Sequence, residues 1–227
     1  MDHLLNNPVW NALAGENKTL AEGNDLVKCF PVAIAPFVGL RQIDPESFDA
    51  LYQLIPAGRT IAILTPDYID IPAEWKPVHH TQLLQMVMES KERPPAGSFT
   101  IQHLGQLHVP AMLTLTKMTN PGPFYERTIE FGNYSGIFSQ DQLVAMAGQR
   151  LHAGQYIEIS AVCTQPDYAG RGFGKALVLH LVQLIRQQGC IPFLHVRKDN
   201  TNAIKLYSFL GFLTRHEMTI NIVRKNE

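Results

Sequence analysis

Cysteine is scarce and unpatterned in this chain of 227 residues. Cys29, Cys163 and Cys190 are the only three, far apart and without a Cys-x-x-Cys pair. That excludes a disulfide framework and points to a reducing compartment, so a cytoplasmic location is expected. No apolar run approaches the roughly 18 residues of a membrane span. The opening MDHLLNNPVW has no basic stretch leading into an apolar one, so neither a membrane anchor nor a signal peptide is expected. A large excess of charge is missing too. Nineteen Lys and Arg against 20 Asp and Glu leave a formal net charge of -1, which speaks against nucleic acid or an anionic membrane as a partner along the whole chain. Repeats and low-complexity tracts are absent. His79 and His80 are adjacent, so they should point apart, and no third ligand stands at metal spacing; no metal site is read there.

What is present can fold. Hydrophobic residues make up 45% and charged residues 17%, enough to bury a core. At ~150 residues per domain the length fits one large domain or two small ones. The clearest seam is SKERPPAGS at residues 90–98, where charges flank a Pro-Pro pair and a Gly. It sets a boundary near Gly97, dividing 1–97 from 98–227. Charge divides unevenly as well. Residues 160–227 hold nine Lys and Arg and four Asp and Glu, which fits either a solvated surface or a place for a small anionic ligand.

The first half reads as mixed α/β. Residues 45–54 form a helix capped by Asp44, with Phe48, Leu51 and Leu54 on its apolar face. TIAIL at 60–64 is a buried strand. In 81–88, Leu83, Leu84, Val87 and Met88 fall on one face of an expected helix, with the methionines as core filler. The second half is more regular. Residues 98–104 form a strand and 109–117 a helix, stopped by Asn120-Pro121-Gly122-Pro123. Residues 133–138 and 143–151 make a hairpin. Residues 155–162 form a strand with Ile157, Ile159 and Ala161 on one face. Next comes a helix over 172–188, ended by Gly189. Residues 191–196 are almost wholly apolar and therefore a central strand. A helix over 202–210 and one or two strands in 212–223 complete the chain.

The chemistry concentrates in residues 157–175, IEISAVCTQPDYAGRGFGK. A strand runs through a Pro-containing bend into a Gly-rich turn and a helix. A helix start leaves N–H groups unpartnered and carries partial positive charge, and glycines let successive N–H groups curl around one anion. Arg171 and Lys175 add full charges, so the parts make a phosphate cradle. It is not a Walker A loop, because Ala169 and Ala176 stand where that loop needs Gly and Ser or Thr. Its spacing is Gly-x-Gly-x-Gly, which departs from the dinucleotide fingerprint. A bare tight turn would need neither three alternating glycines nor two cations within six residues.

This segment resembles the GNAT superfamily of N-acetyltransferases, whose Gln/Arg-x-x-Gly-x-Gly/Ala signature maps onto Ala169-Gly170-Arg171-Gly172-Phe173-Gly174. Ala169 departs from the usual Gln or Arg, and Arg171 partly replaces that charge. NTNAIKLYSFLGF at 200–212 is similar to the family's second element, with Asn202 and Tyr207 in the functional positions and Asn200 just before the helix. The resemblance implies an α/β fold of the GNAT acyl-CoA N-acyltransferase type over 98–227. Whether the N-terminal α/β lobe, 1–97, is a degenerate copy of it is left open.

The same resemblance implies acetyl-CoA, or another acyl-CoA, as co-substrate, without a metal. Its diphosphate would sit on the amides of Gly170, Arg171, Gly172, Phe173, Gly174 and Lys175. Its pantetheine arm would lie along Ala161, Val162 and Cys163, where two parallel strands splay. The Val162 N–H is the candidate oxyanion donor, and Tyr207 either protonates the leaving thiolate or only packs on the cofactor. Glu158 is either the base for the attacking amine, directly or through water, or a strand residue in a salt bridge. Cys163 lacks an adjacent base for an acyl-enzyme, and His180 and His195 are read as core or groove histidines. The acceptor would be a primary amine of a small molecule, amino acid or peptide, contacting residues 124–127, the helix after Val109 and the 143–151 hairpin, with Arg127 available for a carboxylate. Direct transfer in a ternary complex leads. The alternatives are a catalytically weak acetyl-CoA sensor and a protein acetyltransferase acting within a complex. A homodimer is left open.

Overall fold

The computed structural model describes residues 3–90 and 99–226, so the boundary placed near Gly97 lies outside the described residues. In chain order the elements are α1 (Pro8–Ala14), β1 (Glu22–Gly23), β2 (Val27–Cys29), β3 (Phe37–Leu40), α2 (Pro45–Leu54), β4 (Thr60–Thr65), β5 (Trp75–Val87) and β6 (Gln102–His103). They continue with α3 (Val109–Thr119), β7 (Ser135–Ser139), β8 (Gln142–Ala153), β9 (Tyr156–Thr164), α4 (Phe173–Gln187), β10 (Ile191–Arg197), α5 (Thr201–Phe209) and β11 (Leu213–Lys225). Among the described residues the strands form one mixed sheet of 11, in the order β1-β2-β3-β4-β11-β5-β10-β9-β8-β7-β6. The pairs β3–β4 and β9–β10 are parallel and the others antiparallel. Strands of the two halves interleave: β11 lies between β4 and β5, and β5 lies between β11 and β10.

Side-chain alternation assigns the helices to faces. In β5, Leu83 and Val87 pack with α1 while Leu84 and Met86, with Met88 just after the strand, pack with α4 and α5. In β4, Ala62 and Leu64 join the α1 cluster while Ile61 and Ile63 pack with α2. Helices α2, α4 and α5 therefore cover one face. Helix α1 covers the other, where α3 packs on Met146, Ala161 and Cys163.

Local signals account for many boundaries. The Asp44 side chain accepts from the Ser47 N–H at 2.8 Å and caps α2. Asn120 ends α3 in the left-handed conformation. The β7–β8 hairpin turns on Gln140 and Asp141, both with positive φ, the geometry of a two-residue turn that suits strand twist.

Three expectations are corrected. Residues 81–87 belong to β5, Met88 follows it, and none of the eight is helical. From Leu83 to Val87 both faces of β5 are covered by helices, so this stretch is nearly all apolar and mimics helical spacing. Of the strand expected over 98–104, residue 98 lies outside the described residues, and within 99–104 only the two residues of β6 are a strand. Ala161 does not share a face with Ile157 and Ile159. It has φ +53, the β8–β9 register shifts there, and the bulge turns Ala161 into the α3 cluster while Ile157 and Ile159 face α4.

Helix α1 is seated closely on β3. A Cβ on Gly39 would stand 2.5 Å from the Trp10 backbone N and Cα. Gly39→Ala should therefore lower stability by about 1–3 kcal/mol through overpacking. Urea unfolding checks this, and an unchanged midpoint would show that α1 can shift freely.

Candidate active site

The site begins where β9 and β10 part. They pair at Ile191↔Tyr156, Pro192↔Ile157 and Phe193↔Glu158 and no further. Beyond that point, among the described residues, β10 is held only by β5, through Arg197↔Leu83, and β9 only by β8. The gap is a cleft of about 430 Å³, lined by Ser160, Ala161, Val162 and Cys163 of β9, His195 and Val196 of β10, and Tyr207 of α5. Ala161 and Val162 fall between the paired residues Ser160↔Gly148 and Cys163↔Met146, outside the β8 register. A left-handed alanine is a strained conformation, and here it lies on the cleft wall.

The head of α4 stands beside this opening. Gly170 and Gly172 have φ +76 and +85, a region that costs a residue with a Cβ roughly 1–2 kcal/mol. Gly172 precedes the helix, and no side chain caps it. The first bond into the helix runs from the Ala176 N–H to the Gly172 carbonyl at 3.0 Å. The N–H groups of Phe173, Gly174 and Lys175 thus have no partner within the helix. A Cβ on Gly174 would lie 4.0 Å from Val162 and from Leu206, so this turn abuts the cleft wall. Arg171 lies over the Tyr168 ring, 4.6 Å from its centroid, and Lys175 lies over Phe209 at 5.0 Å. Ala169 is extended and adds no charge. An uncapped helix head, glycines and two cations next to an opened strand pair suit a diphosphate and an extended acyl arm.

In α5, Tyr207 is buried and lines the cleft. Burial, with the Cys163 thiol beside it, pushes the Tyr207 phenol up to about 12. Burial also pushes the Cys163 thiol up to about 11. At neutral pH Tyr207 is a proton donor, and Cys163 is a thiol instead of the thiolate that a covalent route needs. Asn202 is exposed in the first turn of α5. Asn200 lines the cleft, and its Oδ1 accepts from the Ala203 N–H at 3.2 Å.

Glu158 sits at the last paired position before the opening and is wholly buried. Arg150 grips it with two bonds, Nε to Oε2 at 2.8 Å and a terminal nitrogen to Oε1 at 2.6 Å. His195 Nδ1 lies 2.7 Å from Oε1, and the Leu151 N–H is 3.5 Å from Oε2. Burial alone would raise the carboxyl. The Arg150 fork and the His195 bond outweigh it and hold it at about 2.

The proton on His195 is assigned by its neighbours. Gln85 Oε1 accepts from Arg215 Nε at 2.5 Å, so the Gln85 amide nitrogen donates to the Leu5 carbonyl at 2.9 Å and to His195 Nε2 at 3.0 Å. His195 therefore carries its proton on Nδ1, facing Glu158. Arg150 and Gln85 escaped sequence reasoning. The signal for Arg150 was a lone Arg in an apolar strand facing a lone Glu in the next. Arg127, expected at the acceptor, pairs with Glu130 at 2.5 Å and is not among the cleft-lining residues.

Comparison with known proteins decides the family. The family model described as FR47-like protein matches residues 134–220. A solved structure of a GNAT-family acetyltransferase from Novosphingobium aromaticivorans is 32% identical, with all of both chains covered and a TM-score of 0.90. The chain belongs to the GNAT family of acetyltransferases. The ribosomal protein bS18-alanine N-acetyltransferase of Salmonella typhimurium is 28% identical over 120 residues, which are 50% of this chain and 80% of that protein. The N-alpha-acetyltransferase RimI of Mycobacterium tuberculosis is 36% identical over 84 residues, 35% of this chain and 51% of that one. This GNAT enzyme thus has its family match across β7 to β11, the part that carries the parted strands and the α4 head.

The depressed Glu158 carboxyl makes folding depend on pH. Its ionised form is favoured in the folded chain, so this stabilisation is whole above the ordinary carboxyl range near 4.5 and is lost as pH falls toward about 2. Glu158→Gln should remove that acid-side slope. It should also cost about 3–5 kcal/mol at neutral pH, because Arg150 loses its buried partner. Urea unfolding of both proteins across this range tests the point, and parallel profiles would contradict it.

Proposed function

We propose that this enzyme transfers an acetyl group from acetyl-CoA to the primary amine of a small molecule, amino acid or peptide, by direct attack in a ternary complex. One observation carries the reading: the parted ends of β9 and β10 run up to an uncapped helix head. The amides of Phe173, Gly174 and Lys175, after the left-handed Gly170 and Gly172, would hold the diphosphate, with Arg171 and Lys175 supplying charge. Along β9, the backbone of Ala161, Val162 and Cys163 would pair with the pantetheine arm. Asn200, on the cleft wall, is better placed to touch it than Asn202.

Bound acetyl-CoA supplies an activated thioester whose sulfur departs readily once protonated. The Val162 N–H, outside the β8 register, is the donor proposed for the carbonyl oxygen, and such a donor contributes ~3 kcal/mol. Tyr207 holds its proton at neutral pH and donates it to the leaving sulfur. We assign Glu158 a positioning role and not the direct base role, because its oxygens already accept from Arg150 and His195. The amine's proton leaves through cleft water. The sensor reading rests on Ala169 alone, and the amides of the α4 head do not depend on that side chain. The three cysteines are free, which agrees with the cytoplasmic location proposed here.

Tyr207→Phe should lower kcat by about 10²-fold, with acetyl-CoA affinity nearly unchanged. Steady-state thiol release and calorimetric titration check the two halves of that statement. An unaltered kcat across the pH range would remove Tyr207 as the acid. Tight acetyl-CoA binding without turnover of any amine would favour the sensor.

A further inference from the structure

The cleft passes through the sheet, and its two mouths differ in chemistry. On the α4 and α5 face the walls are Val162, Asn200, Ala203 and Tyr207. On the opposite face the same cleft runs onto Phe37 of β3, Leu64 of β4, Ile220 of β11 and Leu83 of β5. These are four neighbouring strands, and the four side chains share one apolar cluster. They form the apolar part of this floor, beside Thr81 and with the Arg150 guanidinium 4.7 Å over the Phe37 ring, and come largely from the first half of the chain.

Charge on this route is already spent. Among the described residues that line the cleft there is no Asp or Glu. Of the cations, Arg150 is bound to Glu158 and Arg197 is bound to Asp199 at 2.6 Å. A second ammonium on the acceptor would meet no carboxylate among the described lining residues. A carboxylate would have to compete with Glu158 for the buried Arg150 or with Asp199 for the exposed Arg197. Either charge, buried without a partner, is disfavoured. The cleft of about 430 Å³ must also take the end of the acyl arm, which leaves room for a small group.

We propose that the acceptor is a small primary amine carried on an apolar, uncharged group, alkyl or aryl, seated on Phe37, Leu64, Leu83 and Ile220. This rests on the reading of acetyl-CoA as donor and narrows its acceptor. The amine attacks in its neutral form and forms the C–N bond of the amide. The C–S bond breaks, the sulfur takes the Tyr207 proton, and the amine's proton passes to water.

The test is steady-state acetyl transfer to phenethylamine, leucinamide, putrescine and glutamate, with acetyl-CoA titrated by calorimetry in parallel. The two apolar amines should show kcat/KM at least about tenfold above the other two, the scale on which an apolar pocket discriminates. Leu83→Glu, or Thr81→Glu two residues away on the same strand face, should shift the putrescine-to-phenethylamine ratio about tenfold or more toward putrescine while the acetyl-CoA heat persists. Putrescine or glutamate turned over as well as phenethylamine by the unaltered enzyme would overturn the proposal. So would ratios unmoved in both folded variants, or no turnover of any of the four with acetyl-CoA bound. Absence of acetyl-CoA heat in the unaltered enzyme would bring down the donor reading as well, and the two failures are thereby told apart.

Discussion

Strands β9 and β10 share three paired residues and then separate, and both proposed substrates depend on that separation. A parallel pair that stops early leaves backbone groups facing a gap. The gap persists because each strand is secured on its other side: β10 by five residues of β5 and β9 by β8. Side chains take over from the ladder at the fork. Glu158 on β9 joins His195 on β10 at 2.7 Å, two residues past the last pair on the β10 side, while Arg150 on β8 clamps the same carboxylate. A charged group at zero exposure is costly. Here it ties three strands together at the point where two of them diverge.

The first half of the chain is part of this machinery. Its β5 forms the outer support of β10, and its Gln85 sets which nitrogen of His195 carries the proton. Through Arg215 the same chain of bonds reaches Asn6, next to α1. A change in how α1 docks would thus be felt at the fork through a short run of buried polar contacts. The apolar floor of the cleft is also largely the first half's contribution. Donor and acceptor recognition would then be divided between the two halves of one sheet.

Much of the α4 head could be read from residues alone. Alternating glycines and two cations between a strand and a strongly periodic helix have few other uses, and the structure has that turn uncapped. Asp44, Asn120 and the hairpin turn were equally readable, because capping and turn geometry are local. The features that escaped were set by burial on both sides or by distant partners. Residues 83–87 alternate between two covered faces, so their apolar run imitates a helix. A one-residue bulge at Ala161 reverses the facing of the strand residues after it, and no composition signal marks it. Arg150 and Gln85 lie 8 and 110 residues from Glu158 and His195, their respective partners. Asn200 and Asn202 are alike in sequence and differ only in which one the helix start turns into the cleft.

Hydrogen–deuterium exchange with and without acetyl-CoA tests the central claim most directly. Slowed exchange is expected in two stretches, residues 161–164 on β9 and residues 172–176 at the head of α4, with the β4–β11 ladder unchanged. Exchange that is unaltered in both stretches at saturating acetyl-CoA, on folded protein, would contradict it.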